Sequence, residues 1–484
     1  MCVSDEVNHE DSIEERIEPA QKEQRSRKNT DKNTPKTYVV TGAQYDGKLN
    51  KDFFEGLEKY CEENNGELLI VPMRGKNKEE DLLDPKLLEQ KVIDGDYSLN
   101  RKLAIQDFNI RPNQIDPLTG LSRFVQADKT AIIAAPKVRL QVVPNSKMKL
   151  PKVLMTTGAV TLPNYIDRTD PSDLKYDHRI NHIAERDHTY GAIVVEVENS
   201  QKYHFRHLTS LKNGVFYDLC EKYDGKKEPV MERPPAMVLG DWHSGDTNEK
   251  VREETYHMLE RYNPKAVFLH DIFNGHSINH WNKGKLVDMY RNKHRMSLSE
   301  EIELVANDLE QFVEHAPDTK FYVVYSNHDD RLFRYLNEGE FARETHALNL
   351  EDSLELALKC LKDKNPLEEG VAKYMKNMKN IKFLGKNDDF KKLGWQLANH
   401  GHLGAHGARA SRRSIENANG KSITMHSHVP LIFRNVYVGG TSTNIDLEYN
   451  DGYSGWMNTH VFLYDNGKPQ LVNIIDGKHR RDTY

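Results

Sequence analysis

The chain has 484 residues and a formal net charge of −6, with 74 acidic residues against 68 basic ones. That length suits two or three domains, and the near balance of charge excludes nucleic-acid binding through a global basic excess, leaving only local patches. Cys2, Cys61, Cys220 and Cys360 are scattered without a CxxC pair, no apolar run approaches the ~18 residues of a membrane span, and the N-terminus is polar rather than signal-like, so a cytoplasmic chain with no disulfide scaffold and no membrane partner is expected.

Residues 1–36 are almost all charged or polar and cannot bury enough surface to offset their ordering entropy, so a disordered tail is expected, with a charged docking arm as the alternative. From Thr37 the pattern changes. Tyr38–Thr41 reads as a strand, Asp52–Asn64 as a helix with Phe53, Phe54, Leu57, Tyr60 and Cys61 on one face, and Leu68–Met73 as a second strand, together a βαβ unit. Ala131–Val143, Val153–Val160 and Ala192–Val197 read as further strands. Residues 37–225 are taken as one α/β domain.

His178, His182, Glu185 and His188 would line one face of a helix, either as an ordinary polar face or as a substrate-contacting or structural group; the spacing is not that of HExxH. Residues 224–235, rich in charge and proline, read as a linker.

From Ala236 strands and helices alternate. Ala236–Leu239, Ala266–Leu269, Phe321–Tyr325, Trp395–Ala398 and Ser422–Met425 are the expected strands, with Val436–Val438, His460–Tyr464 and Leu471–Ile475 completing a sheet. Val251, Thr255, Met258, Leu259 and Tyr262 share one helix face. Ile302, Val305, Leu309, Phe312 and Val313 share another, which Ser297 and Glu300 would open as a capping box.

Five ligand-rich segments follow strand-like runs in this half: Gly240–His243 (GDWH), His270–Asp271, Ser326–Asp329 (SNHD), Asn399–His402 (NHGH) and His426–His428 (HSH). On an extended strand end Asp241 and His243 point the same way. Asp271 can bridge two cations with its two oxygens, Asn327 offers an amide oxygen, and His400, His426 and His428 offer imidazoles. Mixed nitrogen and oxygen donors suit Mn²⁺, Fe or Zn²⁺, whereas carboxylates alone would favour Mg²⁺. Each piece alone is weak; all five in order are not a chance pattern. A cage for two divalent metals is chemistry for cutting phosphate esters.

This order resembles the calcineurin-like metallophosphoesterases, whose motifs are DxH, GDxxD, GNH(D/E), an HG-containing segment and GHxH, over residues 236–476. The resemblance implies a C-terminal metallophosphoesterase-type β-sandwich flanked by helices, preceded by a separate α/β N-terminal domain, with 477–484 as a tail. It implies one metal on Asp241, His243, Asp271 and His428, and a second on Asp271, Asn327, His400 and His426. Mn²⁺ is the expected ion, with Mg²⁺, Fe and Zn²⁺ as alternatives. His328 would protonate the leaving oxygen or steady the phosphate, and Asp329 would orient or tune it, during in-line attack by water activated between ions ~3.5–4 Å apart. The chain departs from the pattern at His270, Asn274, Ser326 and Met425, none of them an implied ligand.

The substrate is less constrained. Arg409, Arg412 and Arg413 in a glycine-rich stretch suit a polyanion, or are a solvated loop. Lys283, Lys285, Arg291, Lys293, His294 and Arg295, interleaved with Trp281 and Tyr290, suit a nucleic-acid groove or a charged surface. Arg331 could clamp a phosphate or pair with Asp329 or Asp330. The whole chain, including Val40–Gln44 and Thr156–Tyr165, also resembles the pre-early DNA-degrading proteins of T5-like bacteriophages. That implies a metal-dependent DNase acting on host DNA in the infected bacterial cytoplasm. A phosphatase or small-molecule phosphodiesterase, and a non-enzymatic metal-bound scaffold, stay open as alternatives. So do self-association and contacts with other phage proteins.

Overall fold

The computed structural model describes residues 36–481 apart from 75–81, 112, 125–128, 147–150, 166–177, 280–295, 344–348, 363, 448–449 and 451. The expected tail, up to residue 35, and the basic-aromatic stretch 281–295 lie outside the described residues.

The expected βαβ unit is present: Lys36–Gln44 and Gly66–Met73 pair in parallel, with helix Lys51–Glu63 between them. Asn50 caps this helix by accepting from the Phe53 N–H, and Phe53, Phe54, Leu57 and Tyr60 are buried. Strand side chains alternate: Val39 packs toward the helix while Tyr38 and Val40 face a second core. The sheet has five strands, in the order Tyr203–Ser210, Tyr190–Val197, Lys36–Gln44, Gly66–Met73, Lys91–Val92.

A six-stranded sheet runs Ile381–Phe383, Lys320–Val323, Ala266–Leu269, Ala236–Val238, Thr459–Leu463, Pro469–Asn473. Its first four strands are parallel, so their C-terminal ends share one edge. Met237, Val267 and Leu269 join a core with Val251, Leu259, Ile302 and Leu309 of helices Glu249–Tyr262 and Leu298–His315. The Ser297–Glu300 capping box opens the second helix. On the other face, Ala236, Val238, Ala266 and Phe268 share a core with Trp395, Ile423 and Tyr437 of a ten-stranded sheet.

That long sheet corrects the expected separateness of 37–225. It runs Lys391–Lys392, Trp395–Gln396, Lys421–Thr424, Val436–Val438, Leu431–Phe433, then Leu140–Val143, Lys152–Thr156, Thr130–Ile133, Leu103–Ile105 and Tyr97–Ser98. Leu431 pairs with Gln141 and Ile432 with Leu140, so one sheet crosses both halves. Each half would otherwise expose a strand edge of unpaired N–H and C=O groups. The run Ala131–Val143 is two strands rather than one, because the chain turns at Pro136.

The interval 224–235 contains strand Val230–Met231, paired with Glu221–Tyr223. The expected tail from residue 477 is packed as far as residue 481: the His479 N–H donates to Glu254 at 2.8 Å, and the buried His479 ring meets the Tyr262 hydroxyl at 2.7 Å.

Candidate metal centre

The two sheets that share a core also present strand ends to one another. Gly240–His243 follows Ala236–Val238, His270–Asp271 follows Ala266–Leu269, and Ser326 caps helix Asn327–Asn337 after Lys320–Val323. From the opposite sheet, His400 follows Trp395–Gln396, and His426 and His428 follow Lys421–Thr424. Gly240 lets the first loop pass close to its neighbours: a Cβ there would lie 2.9 Å from the backbone of Thr441 and of Thr459. Between Asp241 and His243, Trp242 turns into the helix-side core and donates its indole N–H to Asp308 at 2.8 Å.

The proposed donors converge into two groups with Asp271 in common. In one, His428 Nε2 is 3.1 Å from Asp241 Oδ2 and 3.4 Å from His243 Nε2, and His243 Nε2 is 3.7 Å from Asp271 Oδ2. In the other, His400 Nε2 is 3.1 Å from Asp271 Oδ2 and 3.0 Å from Asn327 Oδ1. Asp271, His400 and His426 offer ligand atoms within 4.8 Å of one another, as do His243, Asp271 and His428. Adjacent donors around a cation with bonds of ~2.1 Å stand ~3 Å apart, so these spacings suit ligands of a shared ion. Asp241, His243, Asp271, His400 and His428 are buried.

The electrostatics fit a cation in each group. Asp241 Oδ1 and Asp271 Oδ1 are buried without a hydrogen-bond partner, as are His243 Nδ1 and His428 Nδ1. Groups left so are costly unless a charge answers them. Burial opposes a charge on His400, yet Asp271 and Asp241 raise it to about 9, so a proton stands there where a cation would otherwise balance the carboxylates. Burial pushes His243 down to about 3 and His426 to about 4, leaving neutral rings suited to ligation. Four of the candidate ligands also have left-handed backbone, with φ of 50° at His243, 44° at Asp271, 73° at His426 and 57° at His428. Such strain in non-glycine residues persists where the surroundings impose it, and it gathers at functional sites.

His328 stands beside this cluster, with Nε2 4.0 Å from Asp271 Oδ2. Asp329 does not orient it, a correction to the expected role. Its Oδ2 accepts from the Ser326 N–H at 2.9 Å and hydroxyl at 2.8 Å, closing the helix cap, and burial raises its carboxyl to about 6. The position of Asp329 in the first turn directs it back to the cap. His328 Nδ1 instead meets the backbone carbonyl of Asn274, whose side chain donates to Asp246 at 2.7 Å.

Arg331 is half-buried, and its charge reaches His328, whose proton affinity is lowered first by burial and then by Arg331, and His276, whose proton affinity Asp246 raises despite Arg331. Asp330 is engaged by Tyr325, Lys386 and His402. Arg409, Arg412 and Arg413 are exposed, and the Arg412 guanidinium lies 5.0 Å over the Phe433 ring. The expected histidine face divides: helix His178–Asp187 ends before His188, whose ring meets the Tyr165 hydroxyl and the Thr161 carbonyl, each at 2.9 Å.

Three neighbours of the cluster carried no role in the sequence reading. His270 is fully buried against His400, His402 lies beside His400 and His426, and His276 meets Asp246 at 2.9 Å. His270 adjoins Asp271 and His402 follows His400 by two positions within the ligand-rich segments, and that closeness in sequence was the available signal.

No family model matches the chain. It is similar to Protein A1 of Escherichia phage T5, with 27% identity over 477 residues, covering 92% of this chain and 82% of the relative.

Proposed function

We propose that this chain is a metal-dependent phosphodiesterase that hydrolyses DNA. The observation that carries the reading is Asp271, buried and shared by two donor groups, with His328 Nε2 4.0 Å away. The donors Asp241, His243, Asp271 and His428 would hold one divalent ion, and Asp271, Asn327, His400 and His426 a second. Mn²⁺ suits this mixture of imidazole, amide and carboxylate donors. Such ions, when bound, supply Lewis-acid stabilisation of the phosphoryl oxygens and activation of the attacking water. Two sheets facing across a common core, with helices outside, support a metallophosphoesterase-type architecture for residues 236–476.

The residues of the chain divide the remaining work. His328 donates its Nδ1 proton to the Asn274 carbonyl, which turns Nε2 toward the reacting region, where it protonates the leaving oxygen. Arg331 supplies positive charge beside His328 for a substrate phosphate. The exposed Arg409 and Arg413 suit a longer polyanionic backbone, which favours DNA over a small ester. Likeness to a phage protein supports action on host DNA in the bacterial cytoplasm.

The test is cleavage of linear and circular DNA by the full chain with Mn²⁺, beside a small phosphate diester. DNA degradation that falls about 10²–10⁴-fold in His328→Ala, with metal content retained, is the expected result. Hydrolysis of the small ester alone would favour the phosphatase reading, and metal binding without turnover would favour a scaffold.

A further inference from the structure

His270 precedes the shared carboxylate and belongs to neither four-residue ligand set. It is 0% exposed, and its Nδ1 lies 3.3 Å from His400 Nδ1, the rings inclined by only 29°. Two ring nitrogens at this separation form a hydrogen bond when one carries a proton and the other does not. The opposite nitrogen of His400, Nε2, is the one beside Asn327 Oδ1 and Asp271 Oδ2, at 3.0 and 3.1 Å. A nitrogen that ligates a cation presents its lone pair, which leaves the single ring proton of His400 on Nδ1. That proton is buried and needs an acceptor. Asp241 Oδ1, at 3.7 Å, is beyond hydrogen-bond reach, whereas His270 Nδ1 is not.

We propose that His270 is a positioning residue for His400: by accepting the Nδ1 proton it fixes the tautomer and ring orientation that direct Nε2 into the second metal position. The inference rests on the metal-centre reading above. Metal-bound histidines ordinarily give their second N–H to a carboxylate, a carbonyl or water. Here a neutral imidazole accepts it, with its own proton on Nε2, which is buried without a hydrogen-bond partner among the described residues, and adds no further anion to a cage that already holds Asp241 and Asp271.

The experiment measures Mn²⁺ stoichiometry and affinity by chelator competition on the full chain, beside the melting temperature of the metal-free protein. His270→Leu removes the acceptor. His270→Asn keeps one, because its amide oxygen reaches about as far as Nδ1. The expected result is two ions in the parent chain, one of them bound about 10–100-fold more weakly in His270→Leu and recovered in His270→Asn. Unchanged affinity in a folded His270→Leu overturns the proposal, as does a folded His270→Asn that binds as weakly as the leucine variant. Should His270→Leu fail to fold, parent-like affinity in His270→Asn supports the proposal and weakened binding overturns it. Asp241, His270 and His400 also lie within 4.8 Å of one another, and a third ion in the parent chain that His270→Leu loses would make His270 a ligand instead. A parent chain that binds no Mn²⁺ overturns the metal-centre reading itself, a result distinct from any behaviour of the variants.

Discussion

At the scale of single residues, the candidate site trades stability for geometry. His426 holds φ at 73°, a conformation glycine adopts without penalty and other L-residues at roughly 1–2 kcal/mol. His426→Gly is therefore expected to raise the stability of the metal-free protein by about 1 kcal/mol while weakening Mn²⁺ binding, in paired denaturant and chelator titrations. A loss of stability would show that the ring is held by packing instead. The DxH spacing was informative because Trp242 between the two donors faces the core. The neighbour of His328 was not legible in the same way. Sequence adjacency pointed to Asp329, but a residue at the third helical position bonds back to its own cap, and the partner came from Asn274, 54 positions away. A backbone carbonyl leaves no mark on residue type.

Between elements, the junction of the halves is an ionic knot. The Arg206 guanidinium, buried, meets Asp218 at 2.7 Å and Glu196 at 2.9 Å. Tyr60 from the first helix donates to Asp218 at 2.8 Å, Gln470 from the six-stranded sheet does so at 3.0 Å, and the Arg481 N–H donates to Glu196 at 2.9 Å. Burial works against the Glu196 charge, but Arg206 holds its carboxyl well below the usual range. Removing the cation would leave two buried carboxylates facing one another. Arg206→Met is expected to cost about 3–5 kcal/mol in urea unfolding, and more than Lys59→Met, whose partners are solvent-facing. An equal, small loss for both variants would contradict a buried network. Amphipathic helices and alternating strands were readable because their periods are local; Arg206, Glu196 and Asp218 come from three strands and carry no shared period.

For the whole molecule, acid is the expected weakness. His204 and His207 are buried and pushed down to about 4 by that burial, from 6.5. Once unfolded, these rings take up protons as pH falls below 6.5, whereas the folded chain resists until about 4. Stability present above pH 6.5 is therefore lost as pH falls through that window. The melting temperature should drop between pH 6.5 and 4, and less steeply in His207→Gln, whose side chain does not titrate. Equal slopes would remove His207 from the effect.

The βαβ unit, the helices Lys51–Glu63, Glu249–Tyr262 and Leu298–His315, and the strands that lead to the converging donors were legible in the sequence, because periodicity and ligand chemistry are written residue by residue, whereas Asn327–Asn337, Leu350–Cys360 and Arg412–Asn419 were not expected as helices. That one sheet crosses both halves, that residues 477–481 are packed and that His270 lies against His400 emerges from the folded chain alone. Strand edges, buried charges and ring protons find their partners through space, and nothing local encodes which partner that is.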